Sequence, residues 1–254
     1  MKFKKAVITL LAVIGLGTLG TSATQPVAAS TSKADVIKVT ENDLSKADDA
    51  QATIKLGLKA GKKQLKFNAT MTMGNKPTVI HVIANSKALP SNVEAWIDSG
   101  SGKIYSLDGK KWVKEDMSKE DQASFNDTTQ GKPSPTFYKK LAKKAKLTHS
   151  GDSYTVSGKV TDQKWLNKFL LAIAKDAKLS KKEIKSLKKV KLSNISVKMT
   201  TSNDKLTNYL VSTKVSLTKK ISVTLSMNMS EFGKHSDLAV PSEIVNSATP
   251  APKD

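Results

Sequence analysis

The sequence predicts an α+β fold: an antiparallel sheet with one apolar and one polar face, and helices laid over the apolar side. Three observations predict it. Segments in the first and last thirds of the chain alternate apolar and polar residues with a period of two, as half-buried strands must. The last three of these are joined by turns too short for parallel crossovers, so they run antiparallel. The middle third switches to three- and four-residue spacing and supplies helices.

In chain order, residues 30–41 are polar and are expected to be loosely ordered. From Asn42 a helical spacing appears, with Leu44, Ala47, Ala50, Ile54 and Leu58 on one side and a stop near Gly61. In Gln64–Met73 the period becomes two: Leu65, Phe67, Ala69, Met71 and Met73 alternate with polar residues. Gly74-Asn75-Lys76-Pro77 turns this strand into Thr78–Asn85. Asn92–Asp98 and Lys103–Leu107 form a hairpin closed by Gly100-Ser101-Gly102, and Asp108-Gly109 turns the chain into Lys111–Lys114 with Trp112.

A short helix is expected over Ser118–Ser124, and a clearer one over Pro135–Lys146 with Tyr138, Leu141, Ala142 and Ala145 inward. Asp152–Val160 reads as a strand. Asp162 is placed to cap a helix bearing Trp165, Phe169, Leu170 and Ile173, and Ser180 another bearing Ile184, Leu187 and Val190. Three strands follow, with Ile195, Val197 and Met199 on one face, then Tyr209, Val211, Val215 and Leu217, then Ile221, Val223, Leu225, Met227 and Met229. Residues 249–254 are expected to fray.

Composition narrows the function. The chain has 254 residues, a net charge of +20, no Cys, and Lys at every one of its 42 basic positions. Without Cys there is no disulfide framework, thiolate metal site or Cys nucleophile. Without Arg, a base-reading nucleic-acid interface is not expected. Lys2, Lys4 and Lys5, the apolar Ala6–Gly20 and the small residues Val27-Ala28-Ala29 read as a secretory signal over residues 1–29. The mature chain, 30–254, is expected to be exported, free in the medium or loosely held at the wall, as one domain over 42–248.

The remaining positive charge is uneven. Residues 132–191 hold 17 Lys against 4 Asp and Glu, so +13 of the mature chain's +17 falls in 60 residues. Lys181, Lys182, Lys185, Lys188 and Lys189 are candidate contacts for an anionic wall polymer or membrane surface, since lysine suits loosely structured anions.

No catalytic set stands out. His81, His149 and His235 lack metal-type spacing. Ser-x-x-Lys occurs at Ser30, Ser186, Ser202 and Ser216, no more often than the roughly five that chance gives for this composition. The pairs Glu94/Asp98 and Glu115/Asp116 sit beside Lys-rich turns, where ordinary ion pairs account for them. No cofactor or metal is expected, and the chain reads as non-enzymatic. Met71, Met73, Met199, Met227 and Met229 fall on inward faces, where methionine serves either as core filling or as adaptable lining of a cavity.

The order of elements, the hairpin Tyr105-Ser-Leu-Asp-Gly-Lys-Lys-Trp-Val-Lys114 and the closing Val240-Pro-Ser-Glu-Ile-Val-Asn246 resemble the LolA/LppX-like superfamily, in particular its Gram-positive extracytoplasmic branch of unknown function. The resemblance spans roughly residues 42–248. It implies a strongly curved, open half-barrel sheet whose concave apolar face is lidded by helices and carries acyl chains. On this chain the groove would be faced by Leu65, Phe67, Met71, Tyr209, Val223, Leu225 and Met227, with Trp165, Phe169 and Leu170 as lid. Many Gram-positive relatives are anchored through an N-terminal lipidated Cys, which this chain lacks. A core-filled protein that only binds wall polymer is the alternative.

Overall fold

The computed structural model describes residues 32–75, 78–86, 93–118, 122, 135–176, 191–216 and 221–252, with side chains in 170–176 and at 75, 135 and 136 left aside. The export signal, most of the Ser118–Ser124 helix, the Ser180 helix, Leu217 and the lysines of 178–190 therefore lie outside the described residues, as does the side chain of Leu170.

Among the described residues the chain forms helix α1 (Lys33–Lys46), strands β1 (Ala50–Ala60), β2 (Lys63–Asn75), β3 (Thr78–Asn85), β4 (Val93–Asp98), β5 (Lys103–Asp108) and β6 (Lys111–Asp116), and helix α2 (Pro135–Ala142). There follow β7 (Lys146–Ser150), β8 (Ser153–Val160), helix α3 (Gln163–Asp176), β9 (Lys191–Ser202), β10 (Lys205–Ser216), β11 (Ile221–Ser230), helix α4 (Ser242–Ser247) and β12 (Thr249–Pro250). All twelve strands belong to one open sheet in the order β12-β6-β5-β4-β3-β2-β1-β11-β10-β9-β8-β7. Two meanders, β1–β6 and β7–β11, are thus joined where β1 pairs with β11, and every pairing except β12 with β6 is antiparallel. The sheet has two ends and does not close into a barrel.

Four expectations are corrected. From Ser32 onward the polar N-terminal stretch is helical rather than loose: Ser32 and Asp35 form a capping box, the Ser32 hydroxyl accepting the Asp35 N–H at 3.2 Å and the Asp35 carboxylate accepting the Ser32 N–H at 2.9 Å. The helix this starts ends at Lys46, and residues 50–60 are strand rather than helix. Ala50, Ile54 and Leu58 satisfy a helical spacing, but with Ala52 and Leu56 they also alternate, and β1 is held as a strand by ladders on both edges, to β2 and β11. The C-terminus does not fray at once: β12 pairs with β6, and Ala251 donates its N–H to the Lys114 carbonyl at 2.9 Å.

The helix over 135–146 is also shorter than its pattern, giving way to β7 at Lys146. The later strands and the start of α3 follow the alternation and the cap. The Asp162 carboxylate accepts the Trp165 N–H at 3.1 Å and pairs with the Lys140 ammonium at 2.6 Å, which holds its pKa below the usual carboxylate range.

The main core lies on one face of the sheet. There Val36, Leu44, Tyr138, Leu141 and Leu166 from α1, α2 and α3 bury the alternate residues of β1, β2 and β8–β11. Helix α1 packs on β8–β10, α2 on β8, and α3 on β9. Gly158 makes room for α2, since a Cβ there would sit 2.7 Å from Leu141 Cδ1. A second core lies on the opposite face at the other end of the sheet, where Ile244 and Ala248 cover Val79, Trp96 and Tyr105.

Candidate functional site

The apolar face is built in rows, because cross-strand partners in register point to the same side. One row runs Met71, Ala52, Met229, Tyr209, Met199, Val156. The next runs Ala69, Ile54, Met227, Val211, Val197, Gly158. Further along come Phe67, Leu56, Leu225, Thr213, Ile195, Val160, and then Leu65, Leu58, Val223, Val215, Leu192. All seven residues assigned to the groove by sequence therefore share one face.

They do not share one environment. Met71, Tyr209, Leu225 and Met227 are buried in the main core, whereas Phe67 and Val223 are half-buried and Leu65 is 43% exposed. Burial grades along the strands: the row through Met71 and Met199 is filled, and the row through Leu65 and Leu58 is open on the β1–β2 side. The five strand methionines are all buried, so they fill the core. Leu56, Leu58 and Val215 belong to the open rows. Leu56 and Leu58 went unassigned because their segment carries a helical spacing as well as a strand one.

The filled end contains one polar pair. The Tyr138 hydroxyl donates to that of Tyr209 at 3.3 Å. Burial pushes the Tyr209 phenol up to about 12 and the Tyr138 phenol well above its ordinary value, so both stay neutral. The half-buried Glu41 nearby is also raised by desolvation. Helix α3 starts three residues after Val160 and is tied to β9 where Gln163 Nε2 donates to the Ser193 carbonyl at 3.2 Å. The assigned lid residues Trp165 and Phe169 stack at 4.9 Å between ring centres, and Phe137 stacks on Phe169 at 5.4 Å. Trp165 and Phe169 are only partly buried, whereas Phe137 belongs to the buried core. Phe137 joins it although the spacing of 135–146 pointed to Tyr138 instead.

The carboxylates and histidines resolve into structural pairs. His81 Nε2 lies 2.9 Å from Glu94 Oε1 and stacks on Trp96 at 3.9 Å. Asp98 caps its own turn through Gly100 N–H and the Ser101 hydroxyl, and Asp116 pairs with Lys103 at 2.7 Å. Among the described residues no three His, Asp or Glu side chains converge as a metal site would require. No helix among them is long and apolar enough to cross a membrane.

The fold and face together define an open antiparallel sheet with an apolar side part filled and part open. Residues 30–249 match the model of a family of unknown function, DUF6612, and the chain belongs to that family. Two solved structures are similar to it. LprF from Mycobacterium bovis is 12% identical, with 83% of this chain and 97% of that one covered at a TM-score of 0.39. The lipoprotein LppX from Mycobacterium tuberculosis is 9% identical, with 80% and 97% covered at a TM-score of 0.40. At these scores the likeness gives no residue a role. No curated protein matches the sequence.

Proposed function

We propose that the chain is an exported, non-enzymatic binding protein that holds an acyl chain or similar amphiphile on the open rows of its apolar sheet face. The observation that carries this reading is the burial gradient. A face meant only as core would be filled to both ends, because each exposed large side chain forgoes roughly 1.5–3 kcal/mol of burial. Here Leu65, Leu58, Phe67 and Val223 remain partly open on the same face that is filled further along the strands. Apolar surface left open in this way suits an alkyl chain, which needs area more than directed contacts. In this reading the sheet curves around the ligand and the helices close its concave side.

Native mass spectrometry of the protein purified from its own host should show a co-purifying lipid mass. Phe67→Glu should weaken binding of a fluorescent fatty acid by about tenfold, the scale of one large apolar contact replaced by a charge. A clean apo mass together with no fatty-acid binding would overturn the reading.

The +13 concentrated in residues 132–191 supports a second contact, with anionic envelope polymer, through Lys181, Lys182, Lys185, Lys188 and Lys189. Its test is salt-sensitive retention on isolated wall, lost when the lysines of 178–191 become Gln.

A further inference from the structure

The polar face of the sheet carries a feature the net charge of each chain segment conceals. Strands β1–β3 and β7–β11 contain ten lysines and no Asp or Glu. Strands β4–β6, by contrast, hold five acidic residues against three lysines. In sequence these ten lysines spread from Lys55 to Lys214, with only Lys146, Lys159 and Lys191 inside the basic 132–191 segment, so a running charge count does not bring them together. The register gathers most of them onto one surface. Ser226 lies beside Lys55 on one edge and Ser212 on the other, and the row continues through Ser196 to Lys159. The adjacent rows run Lys66, Gly57, Thr224, Lys214 and Leu210, Lys198, Ser157, Lys146.

Two shallow depressions open along this surface. One, of about 400 Å³, is bordered by Lys144, Lys146, Lys159 and Lys198 with the hydroxyls of Ser157 and Ser196. The other, of about 380 Å³, is bordered by Lys55, Lys66 and Lys214 with Asn68, Asn194 and Thr224. Ser212 borders both, so they run together into a strip crossing β8 to β2. Five interstrand steps make it about 24 Å long. None of the ion pairs among the described residues involves these lysines, and the helices that cover the sheet pack on the other face.

We propose that this strip binds a linear, hydroxyl-bearing polyanion, with its charged groups on the lysines and its hydroxyls on the serine, threonine and asparagine side chains. Charge complementarity is the argument: an uncompensated row of cations repels itself and gains from an anion laid along it. The composition selects the partner. Leu210 is the one large apolar side chain on the strip's rows, which leaves little to insert into a lipid surface. No aromatic side chain lies on those rows to stack nucleic-acid bases. Hydroxyls and amides between point charges fit a polyol or sugar chain bearing phosphate or carboxylate. This site is separate from the apolar rows on the reverse face and from the lysines of 178–190.

The test measures binding of the full chain to poly(glycerol phosphate) at low salt. Lys55→Gln, Lys66→Gln, Lys159→Gln, Lys198→Gln and Lys214→Gln, combined, should weaken it by about tenfold or more, the sum of five modest exposed contacts. A control with the same charge change, Lys38→Gln, Lys62→Gln, Lys110→Gln, Lys111→Gln and Lys234→Gln, should cost less than about threefold. All ten are exposed, and matching thermal melts would show that both variants fold. Absence of binding overturns the proposal, as does equal loss in both variants, which would mean net charge alone. So does loss confined to a variant with 178–191 neutralised, which would place the contact on the helical insert. Tighter strip-dependent binding to phosphatidylglycerol vesicles or to a single-stranded oligonucleotide would also overturn it, in favour of a membrane or nucleic-acid surface.

Discussion

Val79 and Ile80 are neighbours in β3, each 2% exposed, yet they serve different cores. Ile80 faces the main core with Met73 across the ladder, while Val79 faces the second core with Ile244 and Ala248. From β2 across to β8 the sheet buries one face in the main core, with α1–α3 packed on β8–β10, and from β3 to β6 it buries the reverse face under the C-terminal segment. β3 is where the buried side changes over, and its run Thr78-Val-Ile-His-Val-Ile83 is accordingly apolar on both faces at its start. The comparison teaches that a single sheet supports two independent coverings. The polar face, which no helix among the described residues covers from β8 to β2, is the one that gathers the lysines.

The difference can be broken most forcefully at the main core. Leu166→Ala, at a fully buried position, should cost about 2–5 kcal/mol, read as a lowered denaturation midpoint with loss of hydrogen-exchange protection across β8–β11. Ile244→Ala should cost about 2 kcal/mol, because its smaller cluster sits nearer solvent and can collapse. Its signature is a shift in Trp96 emission while protection in β8–β11 is kept. If both variants lose protection in the same strands, the two cores are one cooperative unit and the comparison fails.

The glycines sharpen it further. At Gly74 a Cβ would lie 2.8 Å from the His235 carbonyl oxygen and 3.0 Å from Leu238 Cβ, so Gly74→Ala should push the C-terminal segment off the sheet and cost about 1–3 kcal/mol. Gly158→Ala should cost about 1 kcal/mol, since the nearest atom is a side-chain methyl of Leu141 that can swing aside. Urea titration of both variants would show whether backbone and side-chain obstacles rank in that order.

The smallest effect is electrostatic. Burial raises the pKa of Glu41 on α1, so the folded state prefers its protonated form. Its contribution is fully present below the unfolded carboxyl pKa and is lost as pH rises through the raised folded value. Glu41→Gln should therefore be slightly more stable than the natural protein at neutral pH, with the advantage disappearing below about pH 4. An advantage that grows on acidification would contradict this assignment.

Legibility in the sequence followed the strength of the local pattern. The strict alternation of β2 and β9–β11 and the Asp162 cap were readable because each is set by residues close in the chain. β1 was ambiguous because Ala50, Ile54 and Leu58 satisfy both periods, and only its two ladders decide between them. The Ser32–Asp35 capping box was present in the sequence but was masked by the polar character of its surroundings. For the candidate site, the sequence placed all seven groove residues on one face but could not grade them. The difference between the buried Met71 and the exposed Leu65 depends on where the helices lie, not on alternation.

The sequence by itself determined which side chains point to the same side of each strand, the absence of thiol and guanidinium chemistry, and the overall excess of lysine. Those properties are local or additive, so a one-dimensional reading captures them. Only the tertiary structure decided which face is covered at each end of the sheet, how far the apolar rows are filled, and that lysines from Lys55 to Lys214 meet on one acid-free surface. The reason is register. Hydrogen-bonded ladders such as Lys55 to Ser226 make neighbours of residues far apart in the chain, and no period within either strand encodes that pairing.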